Sequence, residues 1–292
     1  MLAVRSILLA ATCALAALPA AATAQSAPAQ GSAGHSDTMY ARHMAARAAL
    51  DAALADPRRE ADRARDAARH PVETLAFFQV WPGMKVVDYM PAGGWYTRVL
   101  VPYLGAQGQY IGINPAPAMA DNEGFRTYAG RLNQSFADAA PGWSLNGAPF
   151  SVASSDAAEL AALDGTIDRV LIFREMHNLF RNGVMHHELT RLRRLLKDDG
   201  MLGIVQHRAR PWASAAYTDG SKGYMRERDV IALVEAHGFE LVGTSEINAN
   251  PRDTADYPRG VWELAPAWGT KREELRAVGE SDRMTLLFRK RS

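Results

Sequence analysis

The residues best suited to chemistry are His177, His207 and the charged pair Arg174 and Glu175. Histidine exchanges a proton near neutral pH, so His177 is our first candidate for a base that removes a proton from a bound molecule. His207 is the second candidate, and we expect the two rings to converge. The alternative for His177 is a histidine that only caps or packs the start of a helix.

A turn of small residues follows Asp88 and Met90 and could bring the backbone close to a ligand. Its members are Pro91, Ala92, Gly93 and Gly94. In a strand–turn–helix unit, the amides of such a turn and the helix N-terminus face the ligand crevice. We expect Met90 to narrow this crevice, and Pro91 lacks a donor amide. By itself, the pattern indicates no more than a turn.

Apolar runs that alternate with helical patterns predict the elements that position these residues. The predicted strands are residues 85–90, 109–114, 150–153, 168–173, 201–207, 239–247 and 283–290. The predicted helices between them include residues 95–104, 187–196 and 228–237. This alternation indicates an α/β fold with a doubly wound, mostly parallel seven-stranded sheet.

Residues 40–82 precede the sheet and are predicted to form a helical cover. The pattern over residues 40–70 is helical but weakly apolar, with Pro57 interrupting it, and a second short helix is expected to end at Phe78. The remaining residues, 83–292, form the predicted α/β domain.

A long segment, residues 248–282, separates the last two predicted strands and is too long for a hairpin turn. Its large aromatic residues favour an ordered cover that could act as a lid. With two rings from the loop after the fifth strand, they could wall an acceptor pocket; the five are Trp212, Tyr224, Tyr257, Trp262 and Trp268. The alternative is that these rings only attach the segment to the sheet edge.

The composition is that of a globular chain and excludes several classes of protein. Of the 292 residues, 48% are hydrophobic and 22% are charged, which fits neither a disordered chain nor a polytopic membrane protein. Lys and Arg number 33 against 32 Asp and Glu, so we expect no nucleic-acid partner. His177, His186 and His187 lie close in sequence, but no cysteine or carboxylate repeat completes a ligand set, so we predict no metal site.

The N-terminus, residues 1–24, is typical of a secretory signal. Arg5 precedes an apolar run too short to span a bilayer comfortably, and Ala22-Thr23-Ala24 offers a cleavage site. Residues 25–39 form a predicted flexible leader, and the only cysteine, Cys13, would leave with the signal. We expect an exported, periplasmic protein with no stable membrane insertion. An uncleaved anchor helix is the alternative.

Three strings carry a resemblance to a known family: residues 93–97 (GGWYT), 246–253 (EINANPRD) and 279–284 (GESDRM). Together with the order of the predicted elements, they make residues 85–289 resemble a class I S-adenosylmethionine-dependent methyltransferase. Within that superfamily, they resemble a bacterial group of predicted, often exported, methyltransferases. The resemblance implies a Rossmann-like methyltransferase fold and S-adenosylmethionine as cofactor.

The resemblance also assigns cofactor-binding positions near the first strand. The acidic strand end and the alternating glycines of the family correspond to Asp88, Met90, Ala92 and Gly94. Two of those glycines are therefore replaced in this chain. Pro91 and Gly93 complete the predicted cofactor turn.

Further cofactor positions follow the later strands. The ribose-binding carboxylate of the family is replaced by Asn114, which accepts a hydrogen bond without charge assistance. Asp156 lies where the family contacts the adenine amino group, and a helix N-cap is its alternative role. Arg174 and Glu175 lie where the family faces the sulfonium and the acceptor.

Three functions stay open at the level of sequence. The preferred one is methyl transfer to an oxygen or nitrogen atom of a small molecule, because no Asn-Pro-Pro-aromatic string follows the fourth strand as in nucleic-acid amino-methyltransferases. The second is an exported, non-catalytic ligand-binding protein on the same scaffold. The third is a cofactor-independent enzyme that uses His177 or His207 as a base in the same pocket.

Overall fold

The computed structural model describes residues 33–291. The predicted signal and the first part of the leader lie outside the described residues. Helix α1 (Ala33–Ala55) begins inside the segment predicted as a leader. The chain divides into one unit that ends at Ala41 and a second that begins at Arg42, and the site below belongs to the second. Within the described range, no helix combines the length and the apolar character needed to cross a membrane.

A seven-stranded sheet forms the centre of the second unit, in the order β3-β2-β1-β4-β5-β7-β6. The strands are β1 (Lys85–Tyr89), β2 (Gln109–Asn114), β3 (Phe150–Ser154), β4 (Ile167–Phe173), β5 (Leu196–His207), β6 (Phe239–Ser245) and β7 (Arg283–Lys290). Strand β7 pairs antiparallel with both β5 and β6, whereas the other neighbours pair in parallel. The predicted doubly wound, mostly parallel sheet is confirmed.

Helices cover both faces of this sheet. They are α2 (Glu60–Arg63), α3 (Asp66–Arg69), α4 (Pro71–Phe77), α5 (Thr97–Leu104), α6 (Glu123–Trp143), α7 (Met176–Arg181), α8 (Met185–Leu195) and α9 (Glu227–Ala236). Successive residues of a strand point to opposite faces. Val87 therefore packs in the apolar cluster that includes Leu189 of α8, whereas Val86 packs in the cluster that includes Leu100 of α5.

Helix α6 occupies a region to which the sequence analysis assigned no element. It has 21 residues, and Asn122 caps it by accepting a hydrogen bond from the Phe125 amide at 2.9 Å. Phe125, Ala129 and Phe136 recur on its buried face at helical spacing. The apolar spacing of a helix is therefore present in the sequence, but the polar residues between these positions obscure it.

Strand β5 begins five residues earlier than predicted. Asp199 and Gly200 were expected to end a helix, whereas α8 already ends at Leu195 and both residues lie within β5. The register between β4 and β5 shifts between Ile167 and Arg169, so this turn-forming pair lies opposite an irregularity in the pairing.

The segment between β6 and β7 is ordered without forming an α-helix or a strand. It contributes Tyr257, Val261 and Leu264 to a third apolar cluster. The fully buried carboxylate of Asp253 accepts hydrogen bonds from the Tyr224 hydroxyl at 2.9 Å and from the Asp282 amide at 2.7 Å. These contacts attach the segment to the loop after β5 and to the start of β7.

Candidate functional site

A cavity of about 880 Å³ lies at the carboxyl ends of β4 and β5. Its walls come from the first turns of α6, the segment 174–182, His207 at the end of β5, and three residues outside the main helices and strands, Asp219, Ser221 and Trp262. Strands β2 and β3 extend the sheet to one side of β1, and β4 and β5 extend it to the other. The order therefore reverses between β1 and β4, which is where open α/β sheets bind ligands.

Both candidate histidines line this cavity, with ring centroids 5.8 Å apart. His177 is 2% exposed and His207 is 7% exposed. Burial, followed by the charge of Arg181, lowers the pKa of His177 to about 3. Burial also holds the pKa of His207 well below its usual range. Both imidazoles are therefore neutral near pH 7.

The hydrogen bonds of His177 determine which ring nitrogen carries the proton. Gln206 donates from Nε2 to the carbonyl of Gly223 at 2.7 Å, which orients its amide so that the same Nε2 faces Nδ1 of His177 at 3.5 Å. This contact favours the tautomer in which Nδ1 is the acceptor and the proton lies on Nε2. Nε2 is buried and has no hydrogen-bond partner among the residues that the structure describes.

His207 is oriented by a residue of the segment before β7. Its Nδ1 lies 2.5 Å from the Ser281 hydroxyl. Ser281 belongs to the string 279–284, which the sequence analysis singled out by resemblance alone. The structure therefore gives this string a position next to the cavity.

Glu175 is the cavity residue whose pKa best suits proton transfer at neutral pH. Burial raises the pKa of this carboxyl to about 7, even though Asn178 donates a hydrogen bond to it at 2.6 Å. A base works best when its pKa lies near the working pH. Sequence reasoning placed Glu175 with the cofactor, because the extent of burial cannot be read from residue order.

Arg174 has both an unusual backbone and an unpaired side chain. Its φ of 67° lies in the left-handed region, where a side chain is strained. The residue lines the cavity, and no described side chain forms a hydrogen bond or salt bridge with its guanidinium. Burial lowers the pKa of Arg174, while the negative charge of Glu280 opposes this effect.

The turn after β1 keeps a glycine-type backbone at each of the family's alternating positions. The φ angles are 53° at Met90, 48° at Ala92 and 73° at Gly94. The chain therefore traces a turn suited to glycine although two of the three residues carry a side chain. Met90 is 4% exposed and packs in the apolar core, whereas Ala92 and Gly93 are exposed.

Asp88 and Pro91 are buried beside this turn. Asp88 is 2% exposed, burial raises its pKa to about 7, and it accepts a hydrogen bond from the Tyr110 hydroxyl at 2.9 Å. A β-carbon on Gly112 would come within 3.1 Å of Pro91, so Gly112 makes room for the proline ring. The walls of the 880 Å³ cavity include neither residue.

Asn114 and Asp156 lie away from the cavity walls. Asn114 donates to Asn133 of α6 at 2.8 Å, and its Oδ1 is a buried acceptor without a donor in the described part of the chain. Asp156 is exposed, accepts a hydrogen bond from Ser154, and does not cap the short 3₁₀ helix that follows.

The residues present fit S-adenosylmethionine in backbone shape and in the polar groups they offer. The glycine-type turn is retained, and the buried Oδ1 of Asn114 is an acceptor that lacks a donor in the described part of the chain. The buried side chain of Met90 has to move to open the groove at β1. Methionine is unbranched and adaptable, so this movement is feasible.

Of the five aromatic residues expected to wall a pocket, only Trp262 lines this cavity. Its ring lies 5.5 Å from that of His177. Tyr224 and Tyr257 are buried in the third apolar cluster, and Trp268 stacks with Arg276. Trp212 is 81% exposed and lines a separate cavity of about 600 Å³. The other four rings therefore hold the segment together or face elsewhere.

Among the residues described, no group of three or more His, Cys, Asp and Glu side chains is arranged to hold a metal ion. His186 and His187 are adjacent on α8, and His186 packs against His237 with ring centroids 5.4 Å apart. The prediction of no metal site stays a prediction.

Comparisons with known proteins find similar structures but no similar sequences of known function. No protein-family model matches the chain, and no curated protein matches it. An S-adenosylmethionine-dependent methyltransferase from Aquifex aeolicus is similar with a TM-score of 0.48 and 18% identity, over 69% of this chain and 93% of that chain. One from Mesorhizobium loti gives a TM-score of 0.46 and 14% identity, over 77% and 98%.

The [4+2]-cyclase SpnF is also similar, with a TM-score of 0.49 and 16% identity, over 77% of this chain and 80% of that chain. All three TM-scores are below 0.5. The fold assignment therefore rests on the strand order and pairing of this chain itself.

Proposed function

We propose that the protein is an S-adenosylmethionine-dependent methyltransferase that acts on an oxygen or nitrogen atom of a small molecule. The observation that carries the proposal is the glycine-type backbone at Met90, Ala92 and Gly94, which follows β1 at the reversal of strand order between β1 and β4. A turn of this shape at this position is suited to a nucleotide-like ligand. The size of the cavity suits a small acceptor.

When bound, S-adenosylmethionine supplies an electrophilic methyl group, and its transfer breaks a C–S bond, forms a C–O or C–N bond and releases the proton of the acceptor. Glu175 is positioned to accept that proton, because its pKa of about 7 leaves much of it ionised at neutral pH. Since the proton of His177 lies on Nε2, this ring donates rather than accepts a hydrogen bond there. The geometry therefore favours Glu175 over His177 as the base.

The cofactor would be held by residues of the β1–α5 turn and by the ends of the neighbouring strands. Asp88 and Asn114 carry acceptor oxygens, and the exposed Gly93 has no atom within 4 Å of the position of a β-carbon, so the backbone there can be approached closely. Asp156 stays a predicted contact. Trp262 and the buried walls would exclude water from the reacting atoms.

The direct test of the proposed function is calorimetry of the full chain with S-adenosylmethionine and with S-adenosylhomocysteine. We expect both to bind, with a measurable heat at submillimolar ligand. Absence of heat with either compound at millimolar concentration would remove the methyltransferase assignment and favour cofactor-independent use of the cavity.

A second experiment tests the base. The full chain is incubated with S-adenosylmethionine labelled in the methyl group and with a small-molecule extract of cells, and labelled products are detected by mass spectrometry. Glu175→Gln should slow label transfer by about a hundredfold or more, since a positioned base contributes on that order. Glu73→Gln, which removes an exposed carboxylate of α4, is the matched control and should label at the wild-type rate.

A further inference from the structure

Arg174 lines the cavity, and its guanidinium has no hydrogen-bond or salt-bridge acceptor among the described side chains. Arginine that is partly removed from water is normally paired, because burying an unpaired charge is costly. Its strained backbone, with φ of 67°, directs the chain away from β4 at this position. An arginine held in this way is available to a ligand.

The charges of two further arginines interact with that of Arg174, and the three form what we call the arginine cluster: Arg69, Arg174 and Arg283. One carboxylate, Glu280, serves the other two members. It lies 3.3 Å from Nε of Arg69 and 2.9 Å from Nη1 of Arg283. Nη2 of Arg69 and Nε of Arg283 are buried without a partner in the described structure. Glu280 is thus shared between these two arginines, and Arg174 is not bonded to it.

The charges of the arginine cluster act on one another. Burial, followed by the charge of Arg174, lowers the pKa of Arg69 to about 10. The charges of Arg283, Arg69 and Arg174 together outweigh burial and hold the pKa of Glu280 below its usual range. Glu280 therefore faces three guanidinium groups. The charges of Glu175 and Asp88 also act on Arg174, but their pKa values of about 7 leave both only partly ionised at neutral pH, so positive charge is in excess.

The other charged groups of the cavity wall leave this excess in place. Asp219 is exposed and accepts a hydrogen bond from the Ser221 amide at 2.8 Å, within its own turn. Glu175 has a pKa of about 7 and is only partly ionised at neutral pH. Arg181 adds a further positive charge, and Nε2 of His177 adds an unpaired N–H donor.

We propose that the cavity binds an oxyanion, a carboxylate or a phosphate, through Arg174 and the Nε2 proton of His177, and that this group belongs to the methyl acceptor. The identification of the ligand as the acceptor rests on the proposed function, whereas oxyanion binding does not. Arginine is suited to both groups because its planar donors match two oxygens at once. The substrate is therefore a small acid or a phosphate ester.

Binding of small probes to the full chain tests this proposal without any cofactor. Benzoate and phenyl phosphate serve as the two anionic probes, and benzamide is the neutral probe of similar shape. We expect at least one anion to bind about tenfold more tightly than benzamide, in line with a charge-assisted hydrogen bond. Equal affinity for all three probes would overturn the proposal. The stronger of the two anions identifies the carboxylate or the phosphate as the preferred group.

Variants then assign the binding to Arg174. Arg174→Gln should weaken the anion about tenfold, Arg174→Lys should restore part of the affinity, and both should leave benzamide unchanged. Arg47→Gln, at an exposed position of α1, is the matched control and should bind like the wild type. Wild-type affinity in Arg174→Gln would overturn the assignment. Thermal melting shows whether Arg174→Gln folds. If it does not, the affinity of Arg174→Lys for the anion, together with the wild-type comparison of anionic and neutral probes, tests the assignment to Arg174.

Competition separates this inference from the proposed function. If S-adenosylhomocysteine and the anion bind together, the anion subsite belongs to the acceptor. If they exclude one another, the arginine binds the carboxylate of the cofactor and the inference fails while the methyltransferase assignment stands. If the anion binds and the cofactor does not, the methyltransferase assignment fails while oxyanion binding stands.

Discussion

Met90 combines a strained backbone with a well-packed side chain. Its φ of 53° is typical of glycine, and a non-glycine residue in this region costs about 1–2 kcal/mol. The side chain is 4% exposed and lies in the apolar core. The buried packing offsets the backbone strain, so the residue is tolerated. Under the proposed function, cofactor binding would require this side chain to move.

Replacing Met90 by glycine should move stability and affinity in opposite directions. Loss of a buried methionine side chain costs about 2–5 kcal/mol, and relief of strain returns only part of this, so the melting temperature should fall. Affinity for S-adenosylhomocysteine should rise, since the groove is opened. Thermal melting and calorimetry measure the two effects. Met90→Leu retains the bulk and is the control; a glycine variant with unchanged or weaker affinity would contradict the role given to Met90.

Glu188 of α8 is a second buried side chain, and its surroundings set the pKa of its carboxyl group. It is fully buried, and its Oε1 accepts hydrogen bonds from Ser155 Oγ at 2.8 Å and from the Ala116 amide at 3.1 Å. Burial raises its pKa from 4.5 to about 7, against the effect of these bonds. Between these two values the folded chain keeps a proton that the unfolded chain releases.

The free energy of unfolding contributed by Glu188 should therefore fall as pH rises from about 4.5 through about 7. Glu188→Gln keeps an acceptor oxygen and removes the titration, so its stability relative to the wild type should increase between pH 5 and pH 8. Urea unfolding at both pH values measures this difference. The exposed Glu73→Gln serves as control. A relative stability of Glu188→Gln that is independent of pH would show that the buried carboxyl does not titrate in this range.

At the scale of elements, the two glycines of the β1–α5 turn differ in how closely other atoms surround them. A β-carbon on Gly94 would collide with the indole ring of Trp143, and its φ is 73°. A β-carbon on Gly93 would meet no atom within 4 Å. The turn and the end of α6 thus approach each other closely at Gly94 only.

This contrast provides a matched pair of variants. Gly94→Ala should lower the free energy of unfolding by about 1–3 kcal/mol, through strain and the collision with Trp143. Gly93→Ala should change it by less than about 1 kcal/mol. Chemical denaturation compares the two. Equal effects would mean that the turn does not pack against Trp143 in solution.

Most elements could be predicted from local patterns, and the exceptions have physical causes. Strands β1, β2, β4 and β7 are continuous apolar runs, and their predicted bounds differ from the observed ones by at most one residue. Helix α6 was missed because its apolar residues are widely spaced among polar ones. The start of β5 was missed because Asp199 and Gly200 favour a turn, whereas the strand pairs with β4 on both sides of them, at Leu196 and at Met201.

At the scale of the whole molecule, buried ion pairs connect the N-terminal helices to the α/β domain. Arg98 of α5 binds Asp62 of α2 with Nε–Oδ2 at 2.6 Å, and Arg69 of α3 binds Glu280 before β7. The predicted helical cover is therefore attached both to α5, early in the α/β domain, and to the segment before β7, late in that domain. Removal of one partner would leave an uncompensated buried charge.

Export is the remaining prediction at this scale, and it concerns residues outside the described range. N-terminal sequencing of the protein recovered from the periplasmic fraction should start at Gln25, because Ala22-Thr23-Ala24 provides small residues at the cleavage site. A protein that retains Met1 and stays in the cytoplasmic fraction would contradict both the signal and the periplasmic location.

The sequence by itself determined the fold class, the order of most elements and the regions that contain the site. Those properties follow from local periodicity, since each strand or helix carries its own pattern along the chain. The tertiary structure decided which groups are ionised and which are paired. Burial raises the pKa of Glu175 to about 7, and Arg69, Arg174 and Arg283 act together on Glu280 although they are far apart in sequence. Desolvation and charge pairing depend on neighbours in space, which no local pattern records.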